Sequence, residues 1–546
     1  MPGEARLGPS GDSASEAQPE PRAGRGVLAA ASISALVVNA NTSAVTILLP
    51  AISRDVDTPV ARLQWAVTGY SLVGAAVIVT SGALGDVLGR RRVFLAGLGL
   101  FIASCVLIAL SGTGAAVVVG RMIQGAAGAT ILACGMSLLS VAASGSEQMR
   151  AITVWGAASA AGAAAGPLVG GLLVDVTGWQ GLFWIDAVVA AACVPVTVVA
   201  VRESSDPTRS RSIDYWGTLL IAIVLVPLVL SLSKGNDWGW ASAATIGCLA
   251  VSAAAALGFV AVERRVAAPL VNLGLLRNRV LVGATLAILI VAGAINALMY
   301  VLSLYFQNPS ALGMSALEAG LATLPAAAGM VAITPLITPL AIRIGTGAAV
   351  GLGFALAAAG CAAIVFVSAS WQYLAFMAPL VAIAAGLGLA NGPASSASTA
   401  SVSADEVGQA SGISNMARYI GGSVAVAAVA MVFSAVTNKK LAAGSATPDA
   451  IASGLSSAAL VLALFSAAGI GLALLARGHR QARASAVDRA AAAAAGSHTL
   501  PTRPVSGRPA AGAGSGPARV SSGPAGPAQP TSAARRGRER ARHAGR

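Results

Sequence analysis

The chain has 546 residues, of which 56% are hydrophobic and only 10% charged, with a mean hydropathy of +0.77. Soluble domains carry about 25% charged residues, so the composition excludes a soluble globular protein and points to a chain that crosses a bilayer many times. The net charge of +14 does not imply a nucleic-acid partner: +11 of it lies from Arg477 onward, where thirteen arginines face only Asp488 and Glu539.

Residues 1–25 are rich in Pro, Gly, Ser and Glu and read as a disordered tail, with no compact apolar core and cleavage site to suggest a signal peptide. At about 20 apolar residues per crossing, fourteen spans follow. The first eight are 27–50, 63–84, 93–110, 115–140, 151–175, 182–201, 213–233 and 241–262; the last six are 280–306, 317–342, 347–368, 373–397, 408–433 and 453–476. The longest charged connections, near 202–214 and 263–279, divide them into an N-terminal half (27–201), a two-helix insertion (213–262) and a C-terminal half (280–476). Halves of six spans are what a transporter built from repeated units shows. From 478 to 546 the composition turns to Ala, Gly, Pro, Ser and Arg, a disordered basic tail.

Arg90 to Arg92, Arg150, Arg202, Arg209, Arg211, Arg264, Arg265, Arg277 and Arg343 all fall in connections after even-numbered spans. Basic residues in short loops stay inside, so both termini are expected in the cytoplasm and the protein in the cell membrane; Lys439 and Lys440 are the main exception. The five cysteines are scattered through apolar runs, with neither disulfide nor metal spacing. All three histidines lie in the C-terminal tail, so a proton path in the membrane must use carboxylates, arginines or water. No phosphate-binding loop, zinc-binding pair or histidine-assisted nucleophile occurs in the membrane part, and the chain is read as no enzyme, with no cofactor and no metal.

The stretch from Gly82 to Arg92 separates spans two and three with two glycines, Asp86 and three arginines. The arginines are explained by charge sorting; Asp86 is not. The pattern of Gly82, Asp86, Gly89, Arg90 and Arg91 resembles the loop motif of the major facilitator superfamily. In span four, Arg121, Gln124 and Gly125 are similar to that family's Arg-x-x-Gln-Gly signature. In span five, Gly162, Gly166, Pro167, Gly170 and Gly171 resemble its antiporter motif. Ile213 to Gly217, Gly235 to Gly239, Pro269 to Leu273, Tyr305 to Gln307, and Gly408 to Gly412 with Asn415 and Arg418 resemble the 14-span drug:proton antiporter branch. The resemblance covers residues 27 to 476 and implies an all-α polytopic protein of the major facilitator fold.

It also implies roles: Asp86 pairing with a loop arginine and the N-terminal end of span thirteen, Arg121 with Gln124 and Asp86 in proton coupling, and the span-five glycines as hinge and seal. Residue chemistry leaves plainer readings open. The glycines recur at helical spacing that lets backbones approach closely, and Arg121 could either snorkel or face the interior with a partner. One departure matters: Asn41 stands in span one where the branch carries an acid, and an amide cannot take up a proton. Asp186 stands where the family often has Asn, and by sequence it sits near a span end, as do Asp214, Glu318, Asp405 and Glu406. A pocket between spans 1, 2, 4, 5, 9 and 10 would draw on Asn39, Asn41, Thr42, Thr46, Tyr70, Trp155, Asn296, Tyr300, Ser303 and Gln307, each of which could equally bond a neighbouring helix.

The expected function is outward transport of a small amphipathic compound (a drug, antibiotic or secondary metabolite) by a monomer in exchange for protons. The alternatives are an uncoupled facilitator or importer on the same fold, and a membrane scaffold acting through its basic tail.

Overall fold

The computed structural model describes residues 23–142, 145–205, 214–266, 269, 271–332, 340, 343–402 and 406–496. Two units are distinguished, one ending at Ala484 and one beginning at Ser485; within the second, the described residues continue the last helix to Gly496.

Among the described residues, fourteen long helices follow one another. The first half comprises α1 (Ala23–Asp55), α2 (Trp65–Leu88), α3 (Arg90–Ala109), α4 (Gly114–Ala142), α5 (Gly145–Thr177) and α6 (Gln180–Ala200); α7 (Tyr215–Trp238) and α8 (Ala243–Glu263) come next. The second half comprises α9 (Arg279–Gln307), α10 (Ala316–Ala332), α11 (Thr346–Val365), α12 (Tyr373–Ala400), α13 (Val407–Ala442) and α14 (Thr447–Gly496). Thirteen of them are long and apolar enough to cross a membrane; α10, at seventeen described residues, is shorter, and its expected continuation to 342 lies mostly outside the described residues. Among the described residues no strand occurs, as a lipid environment requires of a chain that does not close a barrel.

Local chemistry sets the helix starts. The Asp214 carboxylate accepts from the Gly217 amide at 2.6 Å to open α7, Ser242 accepts from Thr245 to open α8, and Asn278 accepts from Val280 and Leu281 to open α9. Gly89, at φ 108°, is the single residue between α2 and α3, a conformation that L side chains rarely adopt. Two helices outrun their apolar limits. α13 continues to Ala442 and carries Lys439 and Lys440 in its last turn, where the negative end of the helix dipole favours cations. α14 runs on through an alanine-rich stretch to Gly496, alanine being the best helix former.

In lipid, helices associate by close fit rather than by hydrophobic burial, and glycine supplies the fit. A methyl group at Gly162 or Gly166 of α5 would strike the backbone of α1 at Leu36 or Ala40, and Gly353 of α11 sits 2.6 Å (measured from its would-be Cβ) from the Gly386 carbonyl of α12. The two halves meet through α5 against α10, α2 against α13 and, more lightly, α1 against α9. α7 and α8 pack on each other, and α7 leans on α2 and α13. Only 17% of the apolar window of α8 is buried, which leaves that pair on the periphery, clear of the polar centre.

Candidate functional site

Arg121, the largest fully buried side chain, is 1% exposed. It does not snorkel. Its Nε donates to the Ala66 carbonyl of α2 at 3.1 Å, and its Nη1 donates to Asn41 Oδ1 of α1 at 2.5 Å and to Gln124 Oε1 one turn along α4. The guanidinium lies 4.2 Å from the centre of the Tyr70 ring on α2, within cation–π range. Gln124 passes its amide on to Cys105 Sγ of α3 at 3.0 Å. Asn41 uses its other end: Nδ2 donates to Asp186 Oδ2 of α6 at 2.7 Å. Asn41 is 0% and Asp186 5% exposed. The Arg121 guanidinium and the Asp186 carboxyl group are thus held apart by one amide, which accepts from the first and donates to the second. The arrangement ties α1, α2, α3, α4 and α6 together and gives the buried guanidinium the partners that a charge in a membrane interior requires.

A second cluster joins the halves. Pro50 lies inside α1 and has no N–H, so the Thr46 carbonyl one turn earlier loses its helical donor. Ser303 Oγ of α9 supplies one at 2.7 Å, and Gln307 Nε2 donates to the Ile47 carbonyl at 3.0 Å and to Ser303 Oγ at 2.9 Å. The Thr46 hydroxyl turns back on its own helix, to the Ser43 carbonyl. This contact lies at the end of the bundle opposite Arg90 to Arg92. At the same end, Gly171 of α5 abuts the Ala316 carbonyl of α10 at 2.6 Å from its would-be Cβ, and Gly320 of α10 sits against the Pro167 carbonyl. Of the span-five glycines, Gly162, Gly166 and Gly170 face α1, whereas Gly171 faces the other half. Along α2 and α13 the halves also touch toward the arginine end, where Gly74 packs on the Tyr419 ring and Gly412 faces Val79.

At the arginine end, Asp86 is 9% exposed and pairs with Arg90, 2.9 Å from Nη2 and 3.0 Å from Nε. The turn is also gripped by the segment after α6. Glu203 Oε1 accepts from the Arg91 amide at 3.1 Å, Arg92 approaches Glu203 Oε2 at 3.6 Å, the Arg90 amide donates to the Ser204 carbonyl at 2.9 Å, and Arg91 Nη2 donates to the Val198 carbonyl at 2.8 Å. Glu203 Oε1 also fills the space that a Cβ on Gly89 would need, whereas Gly82 faces open space. The expected meeting of Asp86 with the start of span thirteen falls partly on residues 403–405, outside the described residues; Gly408 lies in the first turn of α13.

Other expected pocket residues are dispersed. Asn39, Thr42 and Asn296 bond carbonyls of their own helices, at Ala35, Val38 and Ala292, and Asn415 does the same at Ser411. Trp155 is half-buried, and Tyr300 is 2% exposed within the apolar core. Arg418 donates to Asn391 Oδ1 at 3.1 Å and Ser395 Oγ at 2.8 Å, both on α12, and to no carboxylate among the described residues. An apolar cleft lies elsewhere, between α9, α11, α12 and α14 beside Gly283, Ala287, Gly347, Ala394 and Leu472; it holds none of the charged residues. Among the described residues no group of three or more His, Cys, Asp or Glu could hold a metal.

Asp186 and Glu203 are the residues that sequence reasoning did not bring to the centre. Asp186 is seven residues into a helix, and its position near a span end concealed that α6 packs on α1 and α3. The exchange of types, amide at 41 and acid at 186, was the available signal.

The Major Facilitator Superfamily model matches residues 31–426. The tetracenomycin C resistance and export protein of Streptomyces glaucescens is 33% identical over 332 residues, which span 61% of this chain and 61% of that protein. The multidrug resistance protein Stp of Mycobacterium tuberculosis is 30% identical over 74% of this chain and 73% of its own, and the cephamycin export protein CmcT of Amycolatopsis lactamdurans is 30% identical over 72% and 81%. Among solved structures, the POT family transporter PepTSo superposes with a TM-score of 0.61 at 12% identity, covering 84% of this chain and 99% of that one. A bacterial homologue of the lysosomal transporter Spinster, inward-facing and unoccupied, gives 0.56 at 15% identity over 84% and 97%. With a family model spanning most of its length and a bundle of transporter fold, the chain belongs to the major facilitator superfamily and is a multi-pass membrane transporter.

Proposed function

We propose that the protein exports a small amphipathic compound of antibiotic or secondary-metabolite type across the cell membrane, exchanging it for protons by alternating access. The observation that carries this reading is Arg121, a fully buried charge wired by hydrogen bonds to α1 and α2 at the centre of one half. Intramembrane charges of this kind mark transport pathways. The named relatives support export as the direction. The packing of α7 and α8 on each other, with only α7 leaning on α2 and α13, supports transport by the two six-helix halves. The arginine-rich turns support a cytoplasmic position for that end and for both termini.

In this reading the α1–α9 and α5–α10 contacts form the outer gate, and Asp86 with Arg90 belongs to the inner one. Alternating access parts the outer contacts in one state and re-forms them in the other, so their strength biases the two openings. The substrate class follows from Arg418, a half-buried cation whose partners, Asn391 and Ser395, are both neutral. A neutral or anionic compound fits beside it better than a lipophilic cation.

The test is flux in reconstituted vesicles carrying an imposed pH gradient, with tetracenomycin C and a cephamycin as probes and a quaternary ammonium dye as the contrasting one. Uptake into inverted vesicles that collapses with the gradient is expected for the first two. One proton moving with 100 mV contributes about 2.3 kcal/mol, a substrate ratio of roughly fifty-fold. Flux indifferent to the gradient, or confined to the quaternary ammonium dye, refutes the reading.

A further inference from the structure

Within the spans of the first half, the structure joins one carboxylate to the arginine: Asp186. It is 5% exposed, Oδ2 accepts from Asn41 at 2.7 Å, and Asn41 is its only hydrogen-bond partner among the described residues. The charged and titratable groups turned toward it are Arg121 from α4 and Cys105 from α3, with the Tyr70 ring of α2 centred 4.2 Å from the guanidinium. The acid has six residues of α6 between it and the nearer helix end, a depth of roughly 9 Å at 1.5 Å per residue. That nearer end is the one opposite the arginine-rich turns.

Resting on the exporter reading above, we propose that Asp186 is the proton-carrying carboxylate of the exchange and that Asn41 relays its charge state to Arg121. When Asp186 is ionised, its negative charge and the guanidinium compensate each other through the amide. When a proton from water bonds to the free Oδ1, the carboxylate becomes a neutral acid and Arg121 is left with neutral acceptors and an aromatic face. The same proton leaves to water on the other side as the O–H bond breaks, restoring the pair. A buried cation without its counter-charge is costly in lipid, so protonation loosens the tie between α1, α4 and α6 and biases the two openings differently. The acid has not been lost from the network, although span one carries an amide; it sits on the other side of that amide.

The experiment is infrared difference spectroscopy of the full chain in lipid, between acid and alkaline buffers, which reads the proton without any transported compound. Among the carboxylic-acid C=O bands of the chain's 21 Asp and Glu residues, the wild-type protein is expected to show one that Asp186→Asn removes and Asp86→Asn retains. Asn41→Leu should keep the band and move it to higher wavenumber, as a carbonyl relieved of a hydrogen bond does. The double exchange Asn41→Asp with Asp186→Asn, which preserves the hydrogen-bonded pair, should fold and restore a band. A wild-type spectrum from which Asp186→Asn removes no C=O band overturns the proposal. Failed tetracenomycin C or cephamycin flux with an intact Asp186 band would instead overturn the exporter reading, so the two failures are told apart.

Discussion

Replacing Ser303 with alanine removes one hydroxyl and should open one end of the bundle. The Thr46 carbonyl has no helical donor, because Pro50 follows it by four residues. Ser303 Oγ, at 2.7 Å, is the donor that replaces it, and the same oxygen holds Gln307 Nε2 at 2.9 Å. An interhelical hydrogen bond in a membrane contributes about 0.6–1.7 kcal/mol, which corresponds to a three- to eighteen-fold change in a two-state ratio. Because the bond joins α1 to α9 across the halves, that factor falls on the closed-to-open ratio at this end and not on the folding of either half. Hydrogen–deuterium exchange in lipid nanodiscs reads it: amides of Ala51 to Asp55, of Asn308 and of Ser310 to Leu312 should exchange about three- to eighteen-fold faster in Ser303→Ala, while those of α3 stay unchanged. Unchanged exchange at both places, or acceleration spread evenly over α3 as well, would refute the reasoning.

Three further outcomes are expected. Gly166→Leu drives a side chain into the Ala40 carbonyl and Ser43 hydroxyl of α1 and should cost about 1–3 kcal/mol or more, seen as a lower unfolding temperature in detergent; Gly82→Ala, facing open space, should leave that temperature unchanged. Arg121→Lys keeps the charge but loses the fork that reaches Ala66, Asn41 and Gln124 together; at about 1.5–3 kcal/mol per lost charged hydrogen bond, vesicle flux should fall about tenfold or more. Gly89→Ala meets both an unfavourable φ of 108° and the Glu203 carboxylate and should cost about 1–3 kcal/mol; pairing it with Glu203→Ala should recover part of the lost thermal stability.

Hydropathy made the helices legible, since a span must be both long and apolar whatever its neighbours are. Helix ends were less so: α13 and α14 run past their apolar windows on local propensity and dipole complementarity, which also accounts for Lys439 and Lys440 standing apart from the other basic residues. Arg121 and Gln124 were legible because residues three apart on a helix share a face. What escaped was pairing. Asn41 and Asp186 are 145 residues apart, and nothing in either segment alone says that α6 lies against α1. Glu203 belongs to a short segment whose grip on the Gly89 turn is set by tertiary placement. The Thr46 carbonyl was available from Pro50 at the outset, but the side chain that answers it comes from the other half.

The seam between α5 and α10 consists largely of main chain against main chain, with Gly171 on Ala316 and Gly320 on Pro167. At these two points no side chain has to be disentangled before the helices can roll. The seam's cohesion is dispersion, which fades steeply once a gap opens, a radial ångström forfeiting a quarter to a half of each contact. Parting there should therefore be abrupt: the seam holds, then lets go within the width of a hydrogen atom, and a slow leak through a half-open intermediate finds no resting place.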